Sequence, residues 1–172
     1  MADLCDEVDE NDSLTGRQVT VDQAHEQKLI HRCVAIFVFD KDGKLYVQVH
    51  KNSGGRLDHT VGGHVDAGEN YDQAAYRETS EEIGITDMAL NKLTDGLYSD
   101  EGSRIHVFAI YEFLAPEGWK FVPNDEVEEL LLMNVTDVVE MMNTLGTQKF
   151  TGGFMSTMRK YLEIKNSKMK VN

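Results

Sequence analysis

Apolar residues fall along the chain in three rhythms. Residues 33–39, CVAIFVF, are apolar without a break, the pattern of a strand covered on both faces. Asp42-Gly43 then signals a hairpin, and Leu45, Val47 and Val49 alternate with Tyr46, Gln48 and His50 in a returning strand. Residues 90–98, 105–113 and 128–133 predict three further strands, with a turn at 100–103 before the second. Helical spacing governs residues 71–83, where Asn70 with Gln73 makes a capping-box signal and Gly84 a stop. Thr136 is expected to cap a helix running to Leu145 and ended by Gly146, and residues 154–164 predict a last helix. Trp119 and Phe121 are expected at the edge of the core. Strands in both directions with helices on both sides make a layered α/β/α unit on a mixed sheet.

Length sets the domain count: 172 residues support one full core and fall short of two ordinary domains. Residues 1–13 combine acids with few apolar side chains, which predicts a mobile acidic tail. Residues 14–165 are then the folded domain and 166–172 a basic tail. The net charge of −13 is not confined to the first residues, and an acidic body repels phosphate backbones. Nucleic acid is therefore not the expected partner, and a phosphorylated small molecule would need metal ions as bridges. Cys5 and Cys33 give neither a disulfide framework nor zinc-ligand spacing, which points to a reducing cytoplasm. No secretory leader and no apolar run near the ~20 residues of a membrane span is expected, so no membrane partner is either.

The densest chemistry lies in residues 62–85, GGHVDAGENYDQAAYRETSEEIGI. Gly62 and Gly63 permit close backbone approach to a ligand. At 3.6 residues per turn, Glu78, Glu81 and Glu82 fall within an arc of roughly 100°. As like charges at helical spacing they each cost about 0.2–0.5 kcal/mol unless compensated. Two readings follow from the residues alone: a solvated face with Arg77 pairing to Glu81, or ligands for a hard divalent cation such as Mg²⁺, which takes carboxylate oxygens. Lys51 and Arg56, on the loop at residues 51–57, stand beside this segment as candidate substrate contacts.

Gly63, Glu69, Arg77, Glu78, Thr79, Glu81, Glu82, Gly84 and Ile85 reproduce the spacing of the Nudix box, and the chain resembles the Nudix hydrolase superfamily. Thr79 departs from it by standing where an aliphatic residue is usual, which should cost core packing and not chemistry. The resemblance implies a Nudix-type α/β/α sandwich. It also implies a Mg²⁺- or Mn²⁺-dependent pyrophosphohydrolase that cleaves a diphosphate linkage in a nucleoside diphosphate derivative or related small molecule. Glu78, Glu81 and Glu82 would hold the metal, with Arg77 among the catalytic-site residues. Gly62 and Gly63 would meet the substrate. The general base is left between Glu81 and Glu101, and a homodimer is an assembly the resemblance allows.

Residues 25–164 also look like the branch containing isopentenyl-diphosphate isomerases, through HRCVAIFVF, LDHTVGGHVDAGENY and NDEVEE. That branch needs a cysteine where this chain has Gly62, and a glutamate on a later strand, where His106 or Glu101 stands. Isomerisation is therefore not the expected activity. His64 matches that branch's metal-binding histidine, and His25 and His31 lie near its upstream ligands, so the likeness implies a second metal site. A non-catalytic Nudix module that only binds a ligand is the remaining alternative, and the full set of box glutamates weighs against it.

Overall fold

The computed structural model describes residues 3–51, 54–101 and 104–169. The expected loop at 51–57 and turn at 100–103 therefore lie partly outside the described residues.

Nine strands form a mixed sheet organised on β3 (His31–Phe39). β1 is Leu4–Val8, β2 Leu14–Thr20, β4 Leu45–His50, β5 Leu57–Asp58, β6 Val61–His64, β7 Asn91–Ser99, β8 His106–Leu114 and β9 Val127–Met133. β3 pairs in parallel with β8 along its whole length, from His31 opposite His106 to Phe39 opposite Leu114. On its other side it pairs antiparallel with β6, which sets Cys33 opposite His64 and Ala35 opposite Gly62. β4 pairs antiparallel with β9 and with the short β5.

The unbroken apolar run of β3 is explained by two cores. Val34, Ile36 and Val38 face α2 (Tyr71–Ile83) and pack with Tyr71, Ala74, Ala75 and Ile83. Phe37 and Phe39 face α4 (Gly152–Met169) and pack with Phe154, Met158 and Tyr161, beside Val138 and Met142 of α3 (Val135–Leu145). Period-2 geometry alternates the strand's side chains between these layers, so every position of β3 except the part-exposed Arg32 is buried. The α/β/α expectation and the mixed sheet hold.

α2 begins and ends as its sequence requires: Asn70 and Gln73 exchange capping-box bonds, and Gly84 closes the helix at φ 70°. The cap of α3 is Asn134, two residues earlier than expected, and Thr136 lies inside the helix. Trp119 packs edge-on to Tyr46, at 5.3 Å between ring centroids, against the α2-side core.

The acidic start is corrected. β1 and β2 form an antiparallel hairpin, and α1 (Val21–Gln27) follows under a Thr20–Gln23 capping box. Charge dominates the composition there, but Cys5 and Val8 point inward and are buried. Two of the acids are held by partners: Asp6 accepts from Gln18 Nε2 and Gly68 N, and Asp12 lies 2.6 Å from Arg32. The basic end is likewise helical as far as Met169, because α4 continues past its apolar stripe.

Candidate active site

α2 lays its glutamates against the β6 strand, and Gly63 decides how close they come. A Cβ added at Gly63 would lie 2.0 Å from Glu78 Cδ, so the Glu78 carboxylate occupies the space a side chain there would fill. Glu82 sits deeper, 2% exposed against 9% for Glu78. It accepts from Gln48 Nε2 at 2.9 Å and from Gly62 N at 3.3 Å. Burial raises the Glu78 carboxyl to about 7, against the opposing pull of Arg77. Burial and then the Glu78 charge push Glu82 well above the usual carboxylate range. Two carboxylates thus share a desolvated seat, the arrangement a divalent cation relieves.

Glu81 does not join them: its side chain is 56% exposed and lies 3.3 Å from Arg77. Arg77 is the hub of the segment. Its guanidinium donates to both oxygens of Glu69, to Glu78 Oε1 at 2.7 Å, to Glu81 and to the carbonyl of His64. Glu69 in turn accepts from Asp66 N. Expected among the catalytic residues, Arg77 is placed by these bonds as a positioning residue that ties the loop to the helix. Thr79 is fully buried, and its hydroxyl donates to Ala75 O at 2.6 Å, so the polar atom at this aliphatic position is satisfied within the helix.

A cavity of about 290 Å³ borders the seat through Gly62, Gly63 and Gln48, and is lined also by Arg56, Glu101 and Arg104 among others. Of the expected substrate contacts, Arg56, Gly62 and Gly63 line it. Lys51 does not: its ammonium donates to Asn124 O. Asn124 also donates to the Glu82 carbonyl and holds the backbone of Glu126. Glu126 adds negative potential at both Glu78 and Glu82, a fourth acid the sequence reading passed over although NDEVEE carried it. Glu101 lines the cavity and is paired with Arg159.

His64 belongs to another constellation. His25, His31, His64 and His106 bring one ring nitrogen each to within 4.8 Å of one another, and His64 and His106 also line the cavity. His64 Nε2 and His25 Nε2 are 3.2 Å apart. Burial lowers all four rings, His25 to about 4 and His64 to about 3. They are neutral at pH 7.

A model described as the NUDIX domain matches residues 29–151. Over 155 residues the chain is 33% identical to an uncharacterized Nudix hydrolase of Streptomyces coelicolor, covering 86% of this chain and 82% of that protein. It is 29% identical over 157 residues to an isopentenyl-diphosphate delta-isomerase of Pectobacterium atrosepticum, covering 87% and 86%. The crystal structure of a Deinococcus radiodurans protein shares the fold, with a TM-score of 0.73 at 20% identity over 91% of this chain and 97% of that one. Among the described residues no helix is long and apolar enough to cross a membrane. The matched span runs from the start of β3 to the entry of α4 and contains the whole glutamate seat, and on that match the chain belongs to the Nudix family.

Proposed function

We propose that the chain is a divalent-metal-dependent Nudix hydrolase that cleaves the diphosphate linkage of a nucleoside diphosphate derivative or a related small molecule. The carrying observation is the seat behind Gly62 and Gly63, where two buried carboxylates meet next to the residues, Gly62, Gly63 and Gln48, that line a cavity also bearing Arg56 and Arg104. Glu78 and Glu82 would hold Mg²⁺ or Mn²⁺, with Glu81 on the solvent side; the bound ion would neutralise the diphosphate and acidify the attacking water. Gln48 and the Gly62 amide fix the Glu82 carboxylate, and Arg77 fixes that of Glu78. Arg56 and Arg104 supply positive charge to the phosphate oxygens, which the chain's overall charge would otherwise repel. Glu101 faces the cavity and Glu81 faces solvent, so Glu101 is the better placed to take the water's proton.

A second reading rests on Cys33. It lines the same cavity from β3, beside the β6 strand whose Gly62 replaces the isomerase cysteine. Burial holds its thiol well above the ordinary range, protonated and able to donate. Incubation of the protein with nucleoside diphosphate derivatives, nucleoside triphosphates and isoprenyl diphosphates, in Mg²⁺, Mn²⁺ or EDTA, separates the readings. Metal-dependent release of phosphorylated products from one class supports hydrolysis and names the substrate. Carbon rearrangement of an intact isoprenyl diphosphate would favour the isomerase. A rise in melting temperature with no turnover would favour a binding module.

A further inference from the structure

One carboxylate on the cavity wall is not used by the hydrolysis above. Asp58 ends β5, where the β4–β5 ladder sets it directly across from Gln48, the residue that holds Glu82. Residues paired in this way carry their side chains on one face, with Cβ atoms about 4.5–5.5 Å apart. Asp58 thus lines the cavity one rung from the seat.

Its carboxylate is fixed from behind. Oδ1 accepts from the backbone N of His59 at 2.8 Å and lies 2.8 Å from His59 Nδ1, which carries a hydrogen because an ionised carboxylate only accepts. The other ring nitrogen lies 2.7 Å from Thr157 Oγ1, inside α4. The ring between them fills a slot made by two glycines: a Cβ on Gly62 would come within 3.1 Å of Nδ1, and one on Gly153 within 3.7 Å of Cε1. Thr151, whose hydroxyl caps α4 by accepting from Phe154 N, hydrogen-bonds Asp58 as well. Burial pushes the Asp58 carboxyl up, but His59 and then Thr151 outweigh it and hold the group below its usual range, so it is ionised at pH 7. These donors leave at least one of the roughly four lone-pair sites of a carboxylate, on a side chain that is 24% exposed where it lines the cavity.

The open site dictates what can face it. A phosphate oxygen would be repelled. A cationic group would meet Arg56 and Arg104 on the same cavity's lining. An apolar chain would strip water from a charge and return no hydrogen bond. A neutral group with hydroxyl donors satisfies it, and hydroxyls of a ribose are what acidic side chains accept from in dinucleotide sites. We infer that Asp58, oriented by His59 and Thr151, is a specificity-determining residue that accepts hydrogen bonds from hydroxyls of a sugar attached to the diphosphate, and so selects ribose-bearing diphosphates over isoprenyl diphosphates. Asp58 acts through direct contact, while His59 is a positioning residue that anchors it to α4. The assignment rests on the seat holding the diphosphate, as the hydrolase reading has it.

ADP, CDP, GDP and UDP, their 2′-deoxy and 2′,3′-dideoxy forms, and geranyl diphosphate test it with the full-length protein in Mg²⁺, read as kcat/KM and as the rise in melting temperature on binding. The wild type should favour the ribose form over the dideoxy form by about tenfold or more, since a site built to bond hydroxyls rejects analogues that lack them. Geranyl diphosphate should stay intact. Asp58→Asn keeps an oxygen for the His59 donors and turns its own amide hydrogens toward the cavity, where the sugar hydroxyls need an acceptor. It should shrink the preference to within about twofold, mainly by loss on the ribose series. A wild type that treats the two forms alike overturns the assignment, and that comparison stands even if Asp58→Asn does not fold. So does an Asp58→Asn protein that keeps the preference, or one that loses both series equally, as a purely structural role would require. A ribose preference in melting temperature without cleavage removes the hydrolase reading and leaves Asp58 as the residue that selects the sugar; equal cleavage of both forms does the reverse. Neither cleavage nor binding of any ribose form overturns both.

Discussion

The glutamate seat and the histidine cluster meet at β6, where Gly63 and His64 are neighbours, yet they answer opposite physical problems. Gly63 gives up its side chain so that a carboxylate can enter, and the seat gathers like charge that burial makes costly. His64 contributes a ring to four neutral donors that burial keeps neutral. Oxygen anions suit a hard ion that brings water and phosphate with it, while imidazoles are neutral nitrogen donors that such an ion does not prefer. One strand of four residues thus separates buried carboxylates from buried imidazoles.

The difference is broken most severely by removing a charge from the seat. Glu82→Gln should lower metal-dependent turnover by about 100-fold or more, since several kcal/mol of transition-state stabilisation are at stake. The same change should make the metal-free protein more stable, because Gln48 and Gly62 still find an acceptor oxygen and a buried charge is gone. Initial rates and urea melts of the one variant check both signs. Gly63→Ala should follow, as the added carbon would meet Glu78 and drive its carboxylate out. We expect turnover reduced by about 10- to 100-fold and about 1–3 kcal/mol lost to overpacking, measured in the same two assays.

pH sharpens the comparison because the two regions act with opposite sign. Below its ordinary value of 4.5 Glu78 is protonated folded or unfolded; above about 7 it is charged in both, at a cost in the fold. The Glu78 contribution to the stability of the metal-free protein should therefore fall by up to ~3 kcal/mol as pH rises through that window. His64 is neutral in both states above 6.5, and its folded value of about 3 means stability falls as pH drops from 6.5 towards 3. Between 4.5 and 6.5 the two slopes oppose each other, so in urea melts Glu78→Gln should uncover a stability that rises with pH across that range, and Mg²⁺ should act on the wild type in the same direction. At the small end, Thr79→Val should change stability by less than about 1 kcal/mol and leave turnover alone, because the hydroxyl it removes bonds only within its helix.

Most of the layered fold was legible because β3, β4 and α2 carry unambiguous periods and α2 carries both its caps. The hairpin of β1 and β2 was not, because its acids outweigh two inward residues, Cys5 and Val8, in any average of composition. The Thr20–Gln23 capping box was the signal that could have placed α1. The seat could be read because its glutamates share one helix at fixed spacing. The depth of Glu82, the exposure of Glu81 and the approach of Glu126 depend on β4, β6 and the 124–127 turn, which no local pattern encodes. For the same reason His106 entered the sequence reading only as a stand-in for a glutamate: its companions come from α1, β3 and β6, up to 81 positions away along the chain.

A ³¹P NMR time course of the preferred diphosphate substrate, with the wild-type protein and Glu82→Gln in saturating Mg²⁺, tests metal-dependent hydrolysis at the seat directly. The bridging diphosphate signals of the substrate should give way to those of separate phosphorylated products, and EDTA or Glu82→Gln should stop the conversion. A diphosphate that stays intact while its carbon portion changes, or cleavage at an undiminished rate in Glu82→Gln, would contradict it.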